Sequence, residues 1–487
     1  MAGRQASNAV RRPTHALGRF RSTGGAVTGS DPIDPPGDSS HDSIDVHQVR
    51  RRIEAIWRLD AGRIVAALVR WTGDFQRAEN AAQDALIAAL EHWPTRGVPE
   101  HPTAWLLRTA RNRAIDHLRR EHRGDALIGD YGREIARSHT ARSTPQFNDD
   151  ARHDALGLLF IACHPVLSAD TRCALALRTI GGFNNAALAR AFLVPEATIA
   201  QRIVRGKRKL AEANIPFEIP SVAECRERLG SVREVIYLIF TEGHVASQGD
   251  DWMRPDLCHV ARRMARVLAQ AAADDAETQA LLALIELHGA RLAARMDAHG
   301  DPVLLKDQDR RKWDRGGIRR GLAALARANM LARTRSEGRN RKSDPGPDLV
   351  PGPFRLQAAI AACHATAPSF AATDWRQIAA HYATLFATTG SLAARIHEAQ
   401  AAAQFDDPAR VLTALDAAID AQTLAGYVPL HAVRGDLLER CGKRAAAATA
   451  FRLAAEHSGN EAEQRLLLAR AQRVGTGPDS HNGQLPG

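Results

Sequence analysis

Ser168 to Glu212 reads SADTRCALALRTIGGFNNAALARAFLVPEATIAQRIVRGKRKLAE, and this stretch decides how the rest of the chain is interpreted. Its apolar residues recur at helical spacing in three runs: Asp170 to Ile180, Asn184 to Phe192 and Pro195 to about Ala211. The turns between them are too short for the last two helices to lie parallel. The pattern predicts a helix-turn-helix, with Asn184 capping the second helix and Pro195 opening the third.

The third of these helices has an apolar side and a basic side. Ile199, Ile203 and Leu210 are expected to pack inward. The residues left pointing outward are Thr198, Gln201, Arg202, Arg205, Lys207, Arg208 and Lys209. A charged face is often no more than a solvated one. Here, polar side chains near the helix start can reach base edges and cations near its end can reach phosphates, so the helix is predicted to bind DNA.

Composition favours a helical protein with an acidic partner. The 487 residues are enough for two to four domains, and only 5% of them are aromatic. Ala and Arg are abundant, which favours helices over strands and predicts an all-α fold. The net charge of +10 and the pI near 9.7 suit nucleic acid as a partner.

The cysteines are scattered singly and show no zinc or redox spacing. The six are Cys163, Cys173, Cys225, Cys258, Cys363 and Cys441. Reduced thiols in a cytoplasm are expected. Cys163-His164 and Cys363-His364 could each offer two metal ligands, but adjacent side chains on a helix diverge, which favours buried structural residues. No metal or other cofactor is predicted.

The two ends of the chain carry no periodic pattern. Residues 1–44 and 476–487 are expected to be disordered, although a mis-assigned translation start is an alternative explanation for the first segment. Arg11-Arg12 is not followed by an apolar stretch, and no run of eighteen apolar residues occurs. Export and membrane insertion are therefore not expected.

Residues 45–123 are predicted to contain an acidic helix followed along the chain by a second basic helix. In AENAAQDALIAALEHW, the polar positions Glu79, Asn80, Gln83, Asp84 and Glu91 are predicted to face outward. The following helix, AWLLRTARNRAIDHLRRE, and the residues just after it carry a polar stripe of Arg108, Asn112, Asp116, Arg119 and Arg123. A basic helix with an apolar back can follow a phosphate backbone, whereas Arg–Asp pairs on a solvated helix would explain the same stripe. The helix-turn-helix downstream favours DNA.

With these segments in this order, the chain resembles bacterial sigma factors of the extracytoplasmic-function group, in the sigma-70 family. AENAAQDALIAALEHW and AWLLRTARNRAIDHLRRE resemble sigma region two, and ALALRTIGGFNNAALARAFLVPEATIAQRIVRGKRKL resembles region four. The resemblance implies that Asn80, Gln83 and Asp84 bind core RNA polymerase. It places Arg108, Asn112, Asp116, Arg119 and Arg120 on the helix that opens the minus-ten promoter element. Thr198, Gln201, Arg202, Arg205 and Lys207 then fall on the helix that reads the minus-thirty-five element.

The resemblance divides the chain into a region-two domain at 45–123, a tether at 124–150 and a region-four domain at 151–214. The remaining residues, 221–475, are predicted to form a helical extension of the kind found in one subset of these factors. His431 to Gly459 resembles a tetratricopeptide repeat, with a degenerate partner at about 392–421. LLKDQDRRKWD at 304–314 and GPFRLQAAIAACHA at 352–365 resemble motifs that recur in that extension.

The polar motif at 304–314 raises the question of catalysis. Its charged residues are Lys306, Asp307, Asp309, Arg310 and Asp314. No nucleophile, Gly-rich phosphate loop or metal spacing accompanies them, so a salt network at helix ends is favoured and no enzyme activity is predicted.

The expected function is promoter-specific transcription initiation. The expected partners are core RNA polymerase, promoter DNA and a protein regulator of the extension. A free-standing DNA-binding regulator with a sensing repeat domain is the alternative, and a helical-repeat scaffold is a third class. Residues from about 221 to 475 are predicted to regulate the factor by folding against the sigma domains or by binding a partner, and a chain truncated at Pro220 is expected to keep both sigma domains folded.

Overall fold

Nearly all of the regular structure is helical, which confirms the all-α fold class. The computed structural model describes residues 46–72, 75–122, 150–192, 194–213, 215, 222–337, 351–419 and 426–476. Apart from Asp150 and Thr476, the tails predicted at 1–44 and 476–487 and the tether predicted at 124–150 lie outside these residues. None of the described helices combines the length and the apolarity that a membrane crossing requires.

The first three helices pack on one another through small side chains and a tryptophan pair. They are α1 (Val46–Thr72), α2 (Phe75–Arg96) and α3 (Pro102–His122). The buried side of α2 consists largely of Ala78, Ala81, Ala82, Ala85, Ala88 and Ala89. Alanine lets neighbouring backbones approach closely, so α1 and α3 both lie against this side. Near the end of α2, the ring of Trp93 meets that of Trp105 edge to face at 5.3 Å.

The next four helices reproduce the predicted helix-turn-helix pattern. They are α4 (Asp150–Ala162), α5 (Ala169–Thr179), α6 (Asn185–Phe192) and α7 (Glu196–Glu212). The last three match the predicted runs, with their starts or ends shifted by one residue. Asn184 Oδ1 accepts the Ala187 N–H at 2.7 Å, so the predicted cap is confirmed. The residues predicted to face inward on α7 are buried: Ile199, Ile203 and Leu210.

The rest of the described chain is a further series of helices. The α-helices are α8 (Val222–His244), α9 (Pro255–Ala271), α10 (Ala276–Gly289), α11 (Arg315–Glu337), α12 (Pro353–Thr366), α13 (Trp375–Thr389), α14 (Leu392–Ala402), α15 (Pro408–Ala418), α16 (Val428–Arg440), α17 (Arg444–His457) and α18 (Glu461–Gly475). Short 3-10 turns lie at Leu292–Ala294, Leu305–Asp307 and Arg310–Lys312, between α10 and α11.

Helices α16 and α17 form a close pair over the segment that resembles a tetratricopeptide repeat. A Cβ atom added at Gly435 would lie 2.6 Å from the Phe451 ring, so only glycine lets the two helices approach this closely. Helices α14 and α15 form the preceding pair, within the range predicted for a degenerate partner.

One apolar core runs through the three predicted domains. Buried residues from Val49 on α1 to Ile285 on α10 belong to a single cluster. The reason lies in α4, whose consecutive residues Leu156 to Cys163 are all buried. A helix that is apolar on every side must be covered on every side, and α4 contacts α1, α5, α8 and α9. The extension therefore shares its core with the helices that precede it.

Polar contacts reinforce this junction. Arg172 on α5 pairs with Glu234 on α8 at 3.0 Å. Ser231 Oγ donates to the Cys163 carbonyl at 2.6 Å, and Arg263 on α9 donates to the Ile180 carbonyl at 2.9 Å. These contacts fix α8 and α9 against the ends of α4 and α5.

A two-residue parallel strand pair joins distant parts of the extension. The strands are β1 (Gln248–Gly249) and β2 (Gly459–Asn460), paired Gln248 to Gly459 and Gly249 to Asn460. The buried Asn460 amide donates to the carbonyls of Ala246 at 3.1 Å and Asp251 at 2.8 Å. The loop after α8 is thus bonded to the start of the last described helix.

Candidate functional site

The polar face of α2 carries the three residues predicted to bind polymerase. Asn80 is exposed and accepts a hydrogen bond from Gln76 Nε2 at 2.8 Å. Gln83 and Asp84, one turn on, are partly exposed. The Asp84 carboxylate lies 2.8 Å from Nε2 of His117 on α3. These side chains are close together because positions three and four apart share one side of a helix.

The predicted DNA stripe on α3 is exposed where its side chains are described. Arg108, Asn112 and Asp116 are exposed, while Ala110 and Ala114 are buried on the opposite side. Arg119 and Arg120 belong to α3, but their side chains lie outside the described part of the chain. The amphipathic character predicted for this helix is present over its first four turns.

The outward side of α7 is only partly exposed. Thr198, Gln201 and Arg205 are exposed. Arg202 lies over the Phe192 ring at 5.8 Å and 3.5 Å from the Asp170 carboxylate. Lys207 is engaged by α2: its Nζ donates to Gln76 Oε1 at 3.1 Å and to Glu79 Oε2. Of the five residues predicted to contact DNA on this helix, Arg202 and Lys207 therefore both have their charged groups in contact with other helices.

The comparisons with known proteins bear on this arrangement. Residues 57–124, which span the end of α1, α2 and α3, match the family model of Sigma-70 region 2. This segment is therefore a sigma-70 region-two domain. Residues 228–329 match a family of unknown function (DUF6596), which covers most of α8 to α11.

The chain also has a relative of similar length. An uncharacterized protein of Rhizobium meliloti (strain 1021) is 37% identical over 418 residues, which cover 85% of this chain and 94% of the relative. No solved structure matches. The similarity to this relative therefore extends well beyond the region-two segment.

Within the region-two segment, Glu79 departs from the sequence prediction. It was expected to face outward beside Asn80 and Gln83, but only 6% of it is exposed. Arg178 on α5 donates to Glu79 Oε1 at 2.7 Å, and Lys207 on α7 donates to Oε2. Burial alone would raise the pKa of Glu79, but the attraction of Lys207 and Arg178 outweighs it and the pKa lies below its ordinary value. The carboxylate is therefore ionised and bonds region two to α5 and α7.

A cleft of about 520 Å³ opens beside this ion pair network. Its walls come from α1 and α2 on one side and from the turn between α5 and α6 on the other. The residues that line it include Glu79, Gln83, Leu86, Ile87, Phe183 and Arg190. Ile87 and Leu90 are exposed apolar side chains on the region-two side. Gln83, which was predicted to bind polymerase, thus lies in a cleft between region two and the helices that follow it.

The cysteines show no metal-binding arrangement in the described residues. All six are free thiols, and no cluster of three or more His, Cys, Asp or Glu side chains there is positioned to hold a metal ion. Cys163 is completely buried, and burial raises the pKa of its thiol well above the ordinary value. Cys363 donates to Gln377 Oε1.

The polar motif at 304–314 forms local contacts at helix ends, as favoured from the sequence. Asp309 accepts from the Arg311 N–H and guanidinium, both at 3.0 Å. Arg310 donates to the carbonyls of His364 and Ala367, both at 2.7 Å, and Asp314 pairs with Arg320 at 3.3 Å.

Sequence reasoning missed Glu79 as a contact residue. Its immediate neighbours in the pattern, Ala78 and Ala82, are both buried. The available signal for such a contact was an acidic residue next to the alanines on the buried side of α2, in a chain whose later helices are basic. Its partners could not be identified from spacing, because Arg178 and Lys207 lie about a hundred residues away in the chain.

Proposed function

We propose that the chain is a sigma factor of the extracytoplasmic-function group that directs core RNA polymerase to specific promoters. The observation that supports this most strongly is the region-two match, because residues 57–124 carry two separate exposed polar faces. One face, on α2, contains Asn80, Gln83 and Asp84, and the other, on α3, contains Arg108, Asn112 and Asp116. A DNA-binding regulator that acts without polymerase needs only the second kind of face.

Each face has a role in this proposal. The α2 face binds core polymerase, and α3, continued by Arg119 and Arg120, opens the minus-ten element. Helix α7 reads the minus-thirty-five element: Thr198, Gln201 and Arg202 near its start reach base edges, while Arg205 and Lys207 contact phosphates. Such a factor acts in the cytoplasm, where the polymerase and promoter DNA are.

The extension regulates the factor by holding it in a closed arrangement. In this arrangement Lys207 is bonded to Glu79, so its charge is not available to a phosphate. Gln83 lines the cleft and is half-buried. Helices α8 and α9 pack on α4 and α5, and Arg178 belongs to α5. Activation then requires α5 and α7 to move away from α2, and the tetratricopeptide-like pairs offer the surface on which a protein regulator would act.

Charge reversal at Asp84 tests the polymerase contact. Asp84→Lys places a cation on the proposed binding face and should abolish co-purification with core polymerase and run-off transcription from genomic fragments. Asp84 is partly exposed, so the fold is expected to remain. Glu456→Lys on α17 is the matched control, because it makes the same charge change at an exposed position far along the chain.

Unchanged polymerase association by Asp84→Lys would remove the proposed contact. If the wild-type chain binds promoter fragments without polymerase and never associates with it, the alternative of an independent DNA-binding regulator replaces the proposal.

A further inference from the structure

The motif at 304–314 lies against the C-terminal ends of two helices in the extension, α10, which ends at Gly289, and α12, which ends at Thr366. Its residues Gln308 and Trp313 contact Arg291, just after α10, and Arg310 lies over the same Trp313 ring. Arg295, one turn further on, contacts His244 at the end of α8. None of these groups takes part in the proposed polymerase or promoter contacts.

Of the three arginines Arg291, Arg295 and Arg310, the last two donate hydrogen bonds to carbonyls at helix ends. Arg295 donates to the His244 carbonyl at 3.0 Å, and Arg310 donates to the carbonyls of His364 and Ala367 at 2.7 Å. Carbonyls at a helix C-terminus carry partial negative charge, so they are favourable partners for a guanidinium. Capping accounts for Arg295 Nη2 and Arg310 Nη1, but it leaves Arg310 Nη2 without an acceptor.

Arg291 has no such partner. Only 6% of it is exposed, and its Nε and Nη2 both point at one neutral oxygen, Gln308 Oε1, each at the long distance of 3.4 Å. Its guanidinium lies over the Trp313 ring at 5.2 Å. Among the described residues, no carboxylate forms an ion pair with Arg291, Arg295 or Arg310. A buried guanidinium without a counter-charge is costly, and a fork of two donors fits the two oxygens of an oxyanion better than a single amide oxygen.

The surrounding side chains have spare donors and few acceptors. Arg295 Nη1 donates to His244 Nε2, so the neutral ring carries its proton on Nδ1, which has no partner. Arg310 Nη2 and Trp313 Nε1 are also buried without a hydrogen-bond acceptor. Burial lowers the pKa of Arg291 to about 9 and that of Arg295 to about 10, which reflects the cost of these unpaired charges.

We infer that Arg291, with the spare donors of Arg310 and Trp313 beside it, forms a binding site for a small oxyanion, the carboxylate or phosphate group of a small molecule. The site is built within the extension and is independent of the polymerase and promoter faces. Because Arg310 is only half-buried, the oxyanion reaches Arg291 from the Arg310 side. The bound oxyanion would supply the negative charge that the three arginines lack.

Thermal unfolding of the full chain tests the inference. Wild type should show a saturable rise in Tm, of at least about 2 °C, with either inorganic phosphate or succinate, measured against sodium chloride at equal ionic strength. Arg291→Met should remove this rise. Arg311→Met is the matched control, because Arg311 is in the same motif but is almost fully exposed, and it should respond like wild type.

A response to phosphate alone identifies a phosphate group as the ligand, and a response to succinate alone identifies a carboxylate. If both anions act only as sodium chloride does, or if Arg291→Met responds like wild type, the inference is wrong.

A second variant supplies the missing charge from within the chain. Gln308→Glu places a carboxylate beside the Arg291 fork, so it should raise Tm in anion-free buffer and remove the response to added anion. A lower Tm combined with an intact anion response would show that Arg291 does not need an anionic partner, and it would overturn the inference even if Arg291→Met failed to fold.

Discussion

Glu79 connects region two to the helices proposed to read the minus-thirty-five element. Its two oxygens are bonded to cations on different helices, Arg178 on α5 and Lys207 on α7. The three side chains are largely buried, so the charges are poorly screened, and loss of the carboxylate would remove the counter-charge that the two cations share.

Replacing Glu79 by Gln should therefore loosen this junction. The free energy of unfolding should fall by about 2 kcal/mol at neutral pH, as expected for losing charge-assisted hydrogen bonds in a partly buried site. Urea unfolding measures the change, with Glu91→Gln, an exposed position on the same helix, as control. In the proposed closed arrangement, the same variant should bind core polymerase more readily than wild type.

The stabilisation of the fold by the ionised Glu79 changes with pH in a defined direction. The pKa of Glu79 in the folded chain is below its ordinary value, so the stabilisation is complete above the ordinary pKa and is lost as the pH falls through the folded pKa. The difference between wild type and Glu79→Gln should shrink in acid. A difference that stays constant down to about pH 3 would contradict the ion-pair assignment.

At the scale of elements, replacing a glycine by alanine tests how tightly two helices pack. In Gly435→Ala, the new methyl group would meet the Phe451 ring, and overpacking of this kind costs about 1–3 kcal/mol. Gly230→Ala on α8 is the matched control, because nothing lies within 4 Å of the added Cβ. There, alanine should stabilise the helix by about 0.5–1 kcal/mol.

Chemical denaturation of both variants provides the measurement. Equal effects at the two positions would mean that α16 and α17 are not packed as closely as described.

How far each element could be predicted from the sequence depended on whether its signal was local. The cap at Asn184 and the buried side of α7 depend on residues close together in the chain, and both were predicted correctly. The burial of α4 was also available in its sequence, since an uninterrupted apolar run such as Gly157 to Cys163 demands cover on every side. What the sequence could not provide is which helices supply that cover, because the contacts of α4 with α1 and α8 join segments separated by long stretches of chain.

The same limit explains the unexpected sites. Arg291 stands in an ordinary amphipathic context, and its lack of a counter-charge becomes visible only when the ends of α8, α10 and α12 are brought together. Lys207 was interpreted as a phosphate contact because it lies on a basic helix. Its partner Glu79 belongs to another predicted domain, and spacing along the chain carries no information about that pairing.

For the whole molecule, the shared core changes what truncation is expected to do. A chain ending at Pro220 loses α8 and α9, which cover α4 and α5, so apolar residues such as Leu159 and Phe160 are left with less cover. We expect a lower Tm and a tendency to associate, rather than the intact domains expected from the sequence. Size-exclusion chromatography and thermal unfolding of the truncated chain measure this. A monomer with the Tm of the full chain would show that the extension contributes no cover.

Buried histidines make the whole chain sensitive to mild acid. Burial, together with Arg291, Arg295 and Arg310 nearby, lowers the pKa of His364 to about 3 and lowers those of His244 and His288 well below the ordinary value. Because the unfolded chain takes up protons at these sites first, stability falls as the pH drops below about 6.5. Three such groups give a slope of up to about 4 kcal/mol per pH unit.

Urea unfolding at pH 7.5, 6.5 and 5.5 measures this slope. His364→Gln should reduce it by about a third if the three groups contribute equally, while His299→Gln, an exposed position, should leave it unchanged. Equal stability at pH 7.5 and 5.5 would contradict the burial of neutral histidines.

The strand pair between β1 and β2 has a consequence for how the chain is made. Asn460 satisfies the carbonyls of Ala246 and Asp251, yet more than two hundred residues separate them in the order of synthesis. While the ribosome is still translating the intervening helices, region two and α4 to α7 have already emerged, but the loop after α8 lacks the hydrogen bonds that β2 and Asn460 give it. The chain therefore passes through a stage during translation in which the segments proposed to bind the promoter exist before the extension is closed. Ribosome stalling ahead of residue 460 would populate that stage, and nascent chains of this length should be more sensitive to protease in the loop at 246–251 than chains a few tens of residues longer.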